Sequence, residues 1–172
     1  MRPLAMLTYL FRGLTAQPER GGALFDAVAH IARAPHWYRE GEVPDTLDGR
    51  FAMVATVTAL VMIRLETLGE DGNSLSVALT ERFVEVMEVE HRELGLGDPK
   101  LGRTVRKLVG ALARRIDLWR AALSGTSEWA SAAADSVPGG AAGQAHAAKA
   151  LRDLAERLGD RTLEQLGEGE CA

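Results

Sequence analysis

The spacing of apolar residues along the chain predicts helices and little else. Leu24, Val28 and Ile31 recur at helical intervals and stop before Pro35, because the residue ahead of a proline resists the helical region. Upstream, Gln17 to Gly22 reads as a break, and Leu4, Leu7, Phe11 and Leu14 mark a short amphipathic helix at the start. His36 to Leu47 carries Gly41, Pro44 and several charges and reads as irregular. Asp48 can cap the next helix by accepting a backbone N–H bond. From Gly49 to Gly69, Phe51, Val54, Met62 and Leu65 cover one side of a helix while Met53, Leu60 and Ile63 cover others. A helix apolar all round is normally buried on all sides, so this one is predicted to be the central rod. Gly69 to Asn73 should stop it.

Ser74 then caps a helix to Glu93 with Leu75, Leu79, Phe83, Val86 and Leu94 as its inner stripe. Glu90 projects beside that stripe, against the pattern. Gly95 and Gly97 end the helix, and Asp98 caps the following one with Pro99 at its first position and Gly102 close behind. There Val105, Leu108, Val109, Leu112, Ile116, Trp119 and Leu123 share a face, opposite Arg103, Lys107 and Arg114. Ser124 to Gln144, rich in Ala, Ser and Gly, reads as a linker or loop; a final helix runs from about Ala145 to Leu158, Asp160 to Leu166 can add one more turn, and Glu168 to Ala172 reads as a disordered end. The expected organisation is an N-terminal amphipathic segment (1–20), a helical core (21–124), a linker or loop (125–144) and a C-terminal helix with a tail (145–172). The expected fold is all-α, a compact bundle of about five to seven helices around a buried central helix.

Composition narrows the function. With 20 Lys+Arg against 24 Asp+Glu the chain carries −4, without the basic excess on which phosphate contacts depend, so nucleic acid is not an expected partner. One cysteine, Cys171, allows neither an internal disulfide nor a cysteine zinc site and suits a reducing compartment. The most apolar stretch, Phe51 to Leu65, is shorter than the roughly 20 residues a bilayer needs. The opening residues lack a signal-peptide cleavage site in register.

The search for chemistry comes back without a catalytic site. Glu88 and His91 have the Glu-x-x-His spacing of di-iron bundles, but no second copy faces them, so no metal is expected. Gly95-Leu96-Gly97-Asp98-Pro99-Lys100 lacks the strand before it and the Ser/Thr after the lysine that a phosphate loop requires. The four histidines have no Ser or Cys nucleophile placed by spacing. What is left is the basic face of the Arg103–Arg120 helix. Such a face is often simply solvated, and otherwise suits an acidic partner or an anionic membrane surface.

Ala34-Pro35-His36-Trp37-Tyr38-Arg39, then Val43-Pro44-Asp45-Thr46-Leu47-Asp48-Gly49-Arg50-Phe51, then Arg92-Glu93-Leu94-Gly95-Leu96-Gly97-Asp98 and Gly102-Arg103-Thr104-Val105-Arg106-Lys107 resemble, in order and spacing, the ubiquinol–cytochrome c chaperone family. The resemblance spans Leu24 to Leu123. It implies an all-α fold and a non-catalytic assembly factor for ubiquinol–cytochrome c reductase, respiratory complex III, without a cofactor. Eukaryotic members bind newly made cytochrome b near the inner mitochondrial membrane and work with a small partner protein. For this chain the implied client is cytochrome b or another subunit of the complex, with a small helper protein as a further partner. The implied setting is a bacterial cytoplasm, with peripheral contact at the inner membrane. An apolar surface beside a basic rim would suit such a client, and Trp37, Tyr38, Asp48, Arg50, Arg106, Lys107 and Arg115 are the expected contributors. Asp48 and Arg50 also fit a cap or an ion pair, and Gly95, Gly97, Asp98 and Gly102 fit a helix junction. The competing reading is a helical adaptor that binds a soluble protein through the same surface.

Overall fold

The computed structural model describes residues 18–93 and 98–171. The expected N-terminal amphipathic helix, Leu94, and the junction glycines Gly95 and Gly97 lie outside them. Among the described residues there are eight helical segments and no strand: α1 (Pro18–Ala32), α2 (Pro35–Arg39), α3 (Leu47–Glu66), α4 (Gly69–Glu93), α5 (Asp98–Leu123), α6 (Trp129–Ser136), α7 (Ala141–Gly159) and α8 (Leu163–Gly167). The chain is all-α.

Helix α3 is the rod expected from its pattern. Every residue from Ala52 to Val61 is buried, and α1, α4, α5 and α7 all pack against it. Its two interior threonines cost little there, because each hydroxyl donates back into the helix: Thr56 Oγ1 to Ala52 O and Thr58 Oγ1 to Val54 O, both at 2.7 Å. Its cap is Thr46 rather than Asp48. Thr46 is the last extended residue, and its Oγ1 accepts from the Gly49 N–H at 3.2 Å, whereas Asp48 is already inside the first turn and exposed.

Other boundaries also differ from expectation. Of the break expected at Gln17 to Gly22, the described part, Pro18 to Gly22, is helix, since α1 begins at Pro18 and runs through Gly21 and Gly22. Gly21 is there for packing: a Cβ would press on the Ala78 backbone of α4. Gly69 to Asn73 does not separate two helices. The turn is confined to Thr67 and Leu68, Gly69 takes a positive φ of 76°, and α4 starts at once. Ser74 therefore sits inside α4, with its hydroxyl donating to Glu70 O at 3.0 Å. Met87 joins Leu75, Leu79 and Phe83 in the buried stripe, while Val86 is half-buried.

The stretch 125–144 was expected as linker or loop and is largely helix. It contains α6 and the start of α7, with Ala132, Ala133 and Val137 buried. Small side chains that look like linker composition here let α6 lie close against α5 and α7. The chain end is likewise anchored rather than loose. A capping box at Thr162 and Gln165 starts α8, and Cys171 is 1% exposed, its thiol pushed up to about 11 by burial.

Candidate functional site

The segment between α1 and α3 folds back on both helices, and local chemistry explains how. Pro35 occupies the first turn of α2, where its missing N–H costs nothing. The Trp37 indole N–H donates to Ile31 O at 2.7 Å and the Tyr38 hydroxyl to Ala32 O at 3.1 Å. The last carbonyls of α1, which no helical N–H can reach, are thus satisfied by the aromatic pair that follows. On the other side Gly49 lets Pro44 close down on α3, because a Cβ would collide with the Pro44 carbonyl oxygen. Arg50 Nε donates to Asp45 Oδ1 at 2.7 Å and clasps the same turn. The Asp45 carboxyl is held below its ordinary range by that bond, and the Arg50 guanidinium is made more basic by it.

This segment walls a cleft of about 820 Å³. Its floor is apolar: Phe25 from α1, Phe51 and Val54 from α3, Val86 and Met87 from α4. Leu47, 41% exposed, stands at the edge. The rim is charged, with Arg33, Arg39, Arg50 and Asp45 on one side of the chain and Glu90 and Glu93 from α4. Tyr38 lines it too, its phenol pushed up from the ordinary value by burial first and then by Asp45. An apolar floor with a polar rim is the usual make-up of a surface that takes an apolar segment of another molecule.

Of the expected contributors, the structure brings Tyr38 and Arg50 to the cleft. Trp37 is 2% exposed and stiffens the wall from behind. Asp48 is exposed on the first turn of α3 and does not line the cleft. Arg106 and Lys107 are exposed on α5, away from it. Arg115 is largely interior. Its guanidinium donates to Thr56 Oγ1 at 3.3 Å, Ala111 O at 3.2 Å and Ser136 O at 2.9 Å, and lies 5.8 Å from the centre of the Phe51 ring. Burial, then Arg114, lowers its pKa. It ties α3, α5 and α6 together and backs the cleft through Phe51. Asp98 is the first residue of α5, and Gly102 is exposed on that helix.

Sequence reasoning missed Phe25, Arg33, Arg39, Asp45, Leu47 and the α4 residues of the cleft. One signal pointed there: Glu90 beside an otherwise apolar stripe, which faces a cleft and not solvent or core. Among the described residues no three His, Cys, Asp or Glu side chains converge as metal ligands, and no helix is long and apolar enough to cross a membrane.

The crystal structure of the Cbp3 homolog from Brucella abortus is similar in fold, with a TM-score of 0.77 and 20% identity over 98% of this chain and 94% of that one. No curated protein matches significantly. The family described as ubiquinol-cytochrome C chaperone matches residues 39–166, from the last residue of α2 through α3, α4, α5 and the small-residue stretch 125–144. The chain belongs to the ubiquinol-cytochrome C chaperone family, with the assembly-chaperone role and the protein client that membership carries.

Proposed function

We propose that the protein holds cytochrome b, or another subunit of ubiquinol–cytochrome c reductase, during assembly of the complex, with a segment of the client seated in the cleft between α1, α2, α3 and α4. The supporting observation is the cleft itself: an apolar floor of Phe25, Phe51, Val54, Val86 and Met87 under a charged rim. A client whose apolar segments are not yet in their final place needs such a surface, because unshielded apolar area drives aggregation. The rim gives selectivity without deep burial of charge. The reading places the protein on the cytoplasmic side of a bacterial inner membrane. There the exposed Arg106 and Lys107 favour an anionic surface by about 1 kcal/mol per charge. A small helper protein belongs to the same proposal.

Deleting the gene and measuring assembled complex III tests the reading. Loss of the complex, restored by the wild-type gene, is expected. Leu47→Asp should restore it less well and should recover less cytochrome b on purification, by roughly fivefold. Leu47 is exposed at the start of α3, where an acid is well tolerated, so the fold survives the change. Normal complex III without the gene would end the proposal, and full rescue by Leu47→Asp would move the client elsewhere on the surface.

A further inference from the structure

The rim of the cleft is polarised. Arg33, in the turn that follows α1, and Arg39 on α2 supply cations, while Glu90 and Glu93, one turn apart on α4, supply anions. The charges that would blur this separation, Asp45 and Arg50, are already joined to each other at 2.7 Å. Arg33, Arg39, Glu90 and Glu93 enter no ion pair among the described residues. Among the described residues Glu90 also acts at longer range on Arg50, and none of the four is held in a direct ion pair that a partner would have to break.

The walls say what backbone the partner brings. Three of the four lining elements are long helices whose main-chain groups are bonded internally, and no strand edge exists among the described residues. An extended peptide would find few main-chain partners there, and burying its own N–H and C=O groups would be costly. A helix arrives with those groups satisfied and needs only a floor for its apolar face.

We infer that the cleft takes an amphipathic helix of the client, one whose apolar face is bordered by acidic side chains on one flank and basic ones on the other. The inference rests on the client reading above and deepens it. The acidic flank lies toward Arg33 and Arg39, the basic flank toward Glu90 and Glu93. Turning such a helix end for end exchanges its flanks, so the polarity of the rim also sets the direction in which the helix lies. A helix apolar all round leaves all four charges unmatched. The fitting segment is one that lies along a membrane surface or waits for a subunit interface, not the core of a membrane span.

The test uses the full chain and labelled helical peptides of ~18 residues, about five turns. All share one leucine face and differ only in flanks: mixed, all-acidic or all-basic. By fluorescence anisotropy at low salt, the mixed peptide should bind about tenfold tighter than either uniform one, and the margin should shrink at about 0.5 M salt. Arg33→Glu with Arg39→Glu should make the all-basic peptide the best ligand, and Glu90→Lys with Glu93→Lys the all-acidic one. The exposed single changes Arg39→Glu and Glu93→Lys repeat the test if a double variant loses helicity. A photo-crosslinker at one peptide end should mark one end of the cleft only. Equal binding of the three peptides would overturn the polarity while leaving a client cleft, and binding of none would overturn both.

Discussion

Helices α3, of 20 residues, and α5, of 26, are both long and pack against each other. In α3 every residue from Ala52 to Val61 is buried, on all sides of the helix. In α5, among the described residues, Leu112, Trp119 and Ala122 are buried, while Val109 is 38% exposed and Arg103, Arg106, Lys107 and Arg114 face solvent. One helix gives its whole circumference to the core. The other gives one stripe and keeps the rest free. The cleft lies where α3's first turns emerge from the core, so a rigid rod positions part of its floor.

The largest test of that contrast is a charge placed in each part of α5. Leu112→Asp buries an unpaired carboxylate against α5's neighbours and should abolish the cooperative thermal transition. Val109→Asp, one turn away on the freer side, should leave the transition within about 0.5 kcal/mol of wild type. A wild-type melting temperature for Leu112→Asp would mean that α5 does not pack as described. In α3 the corresponding milder change, Leu60→Ala, removes a fully enclosed side chain and should cost about 2–5 kcal/mol by urea denaturation.

A smaller effect belongs to α2 and α7, which meet through a pair of histidines. His36 Nδ1 lies 2.9 Å from His146 Nε2, with the Trp37 ring 4.1 Å from that of His36. One ring donates and the other accepts, which suits neutral imidazoles. Burial, then the neighbouring His146 and also Arg157, lowers the pKa of His36 below its ordinary 6.5, with Glu40 opposing. The unfolded chain therefore binds this proton more readily than the folded one. The stability tied to His36 is present above pH 6.5 and is lost as the pH falls toward the lower folded value. Denaturation at descending pH should show this, and His36→Phe should flatten the dependence. An unchanged slope would assign it to other groups.

These regions also differ in how far the chain's pattern announced them. α3 was legible because burial on all sides leaves apolar residues on all sides, and the Ala34–Phe51 motif was legible as an ordered series. The linker reading of 125–144 failed for a physical reason. Ala132 and Ala133 are core residues whose small size serves close approach of α5, α6 and α7, and small residues with Gly and Pro nearby look the same in a loop. The capping of α3 turned on which of Thr46 and Asp48 was still extended, a two-residue difference that either residue type permits. The cleft was legible only at Tyr38, Arg50 and the misplaced Glu90. Its other members come from α1, α2, α3, α4 and the turns between the first three, and no local spacing links Phe25 or Arg33 to Met87 or Glu93.

The smallest expected change in stability is at the outer face of α5. From Pro99 to Ile116 the chain has Lys100, Arg103, Arg106, Lys107, Arg114 and Arg115 and no acidic residue, in a chain of net charge −4. Arg106 and Lys107 are exposed and enter no ion pair among the described residues. Their mutual repulsion therefore costs stability slightly, and Arg106→Glu with Lys107→Glu should shift unfolding by no more than about 0.5 kcal/mol. Contact is another matter, because a cluster of like charges acts as a unit on an oppositely charged surface. Flotation with vesicles carrying anionic lipid should recover wild-type protein at about 0.05 M salt and less at about 0.3 M, where the Debye length has shrunk by more than half. The double reversal should abolish recovery at both. Binding of the reversed variant equal to wild type would show that α5's free face is solvated and nothing more.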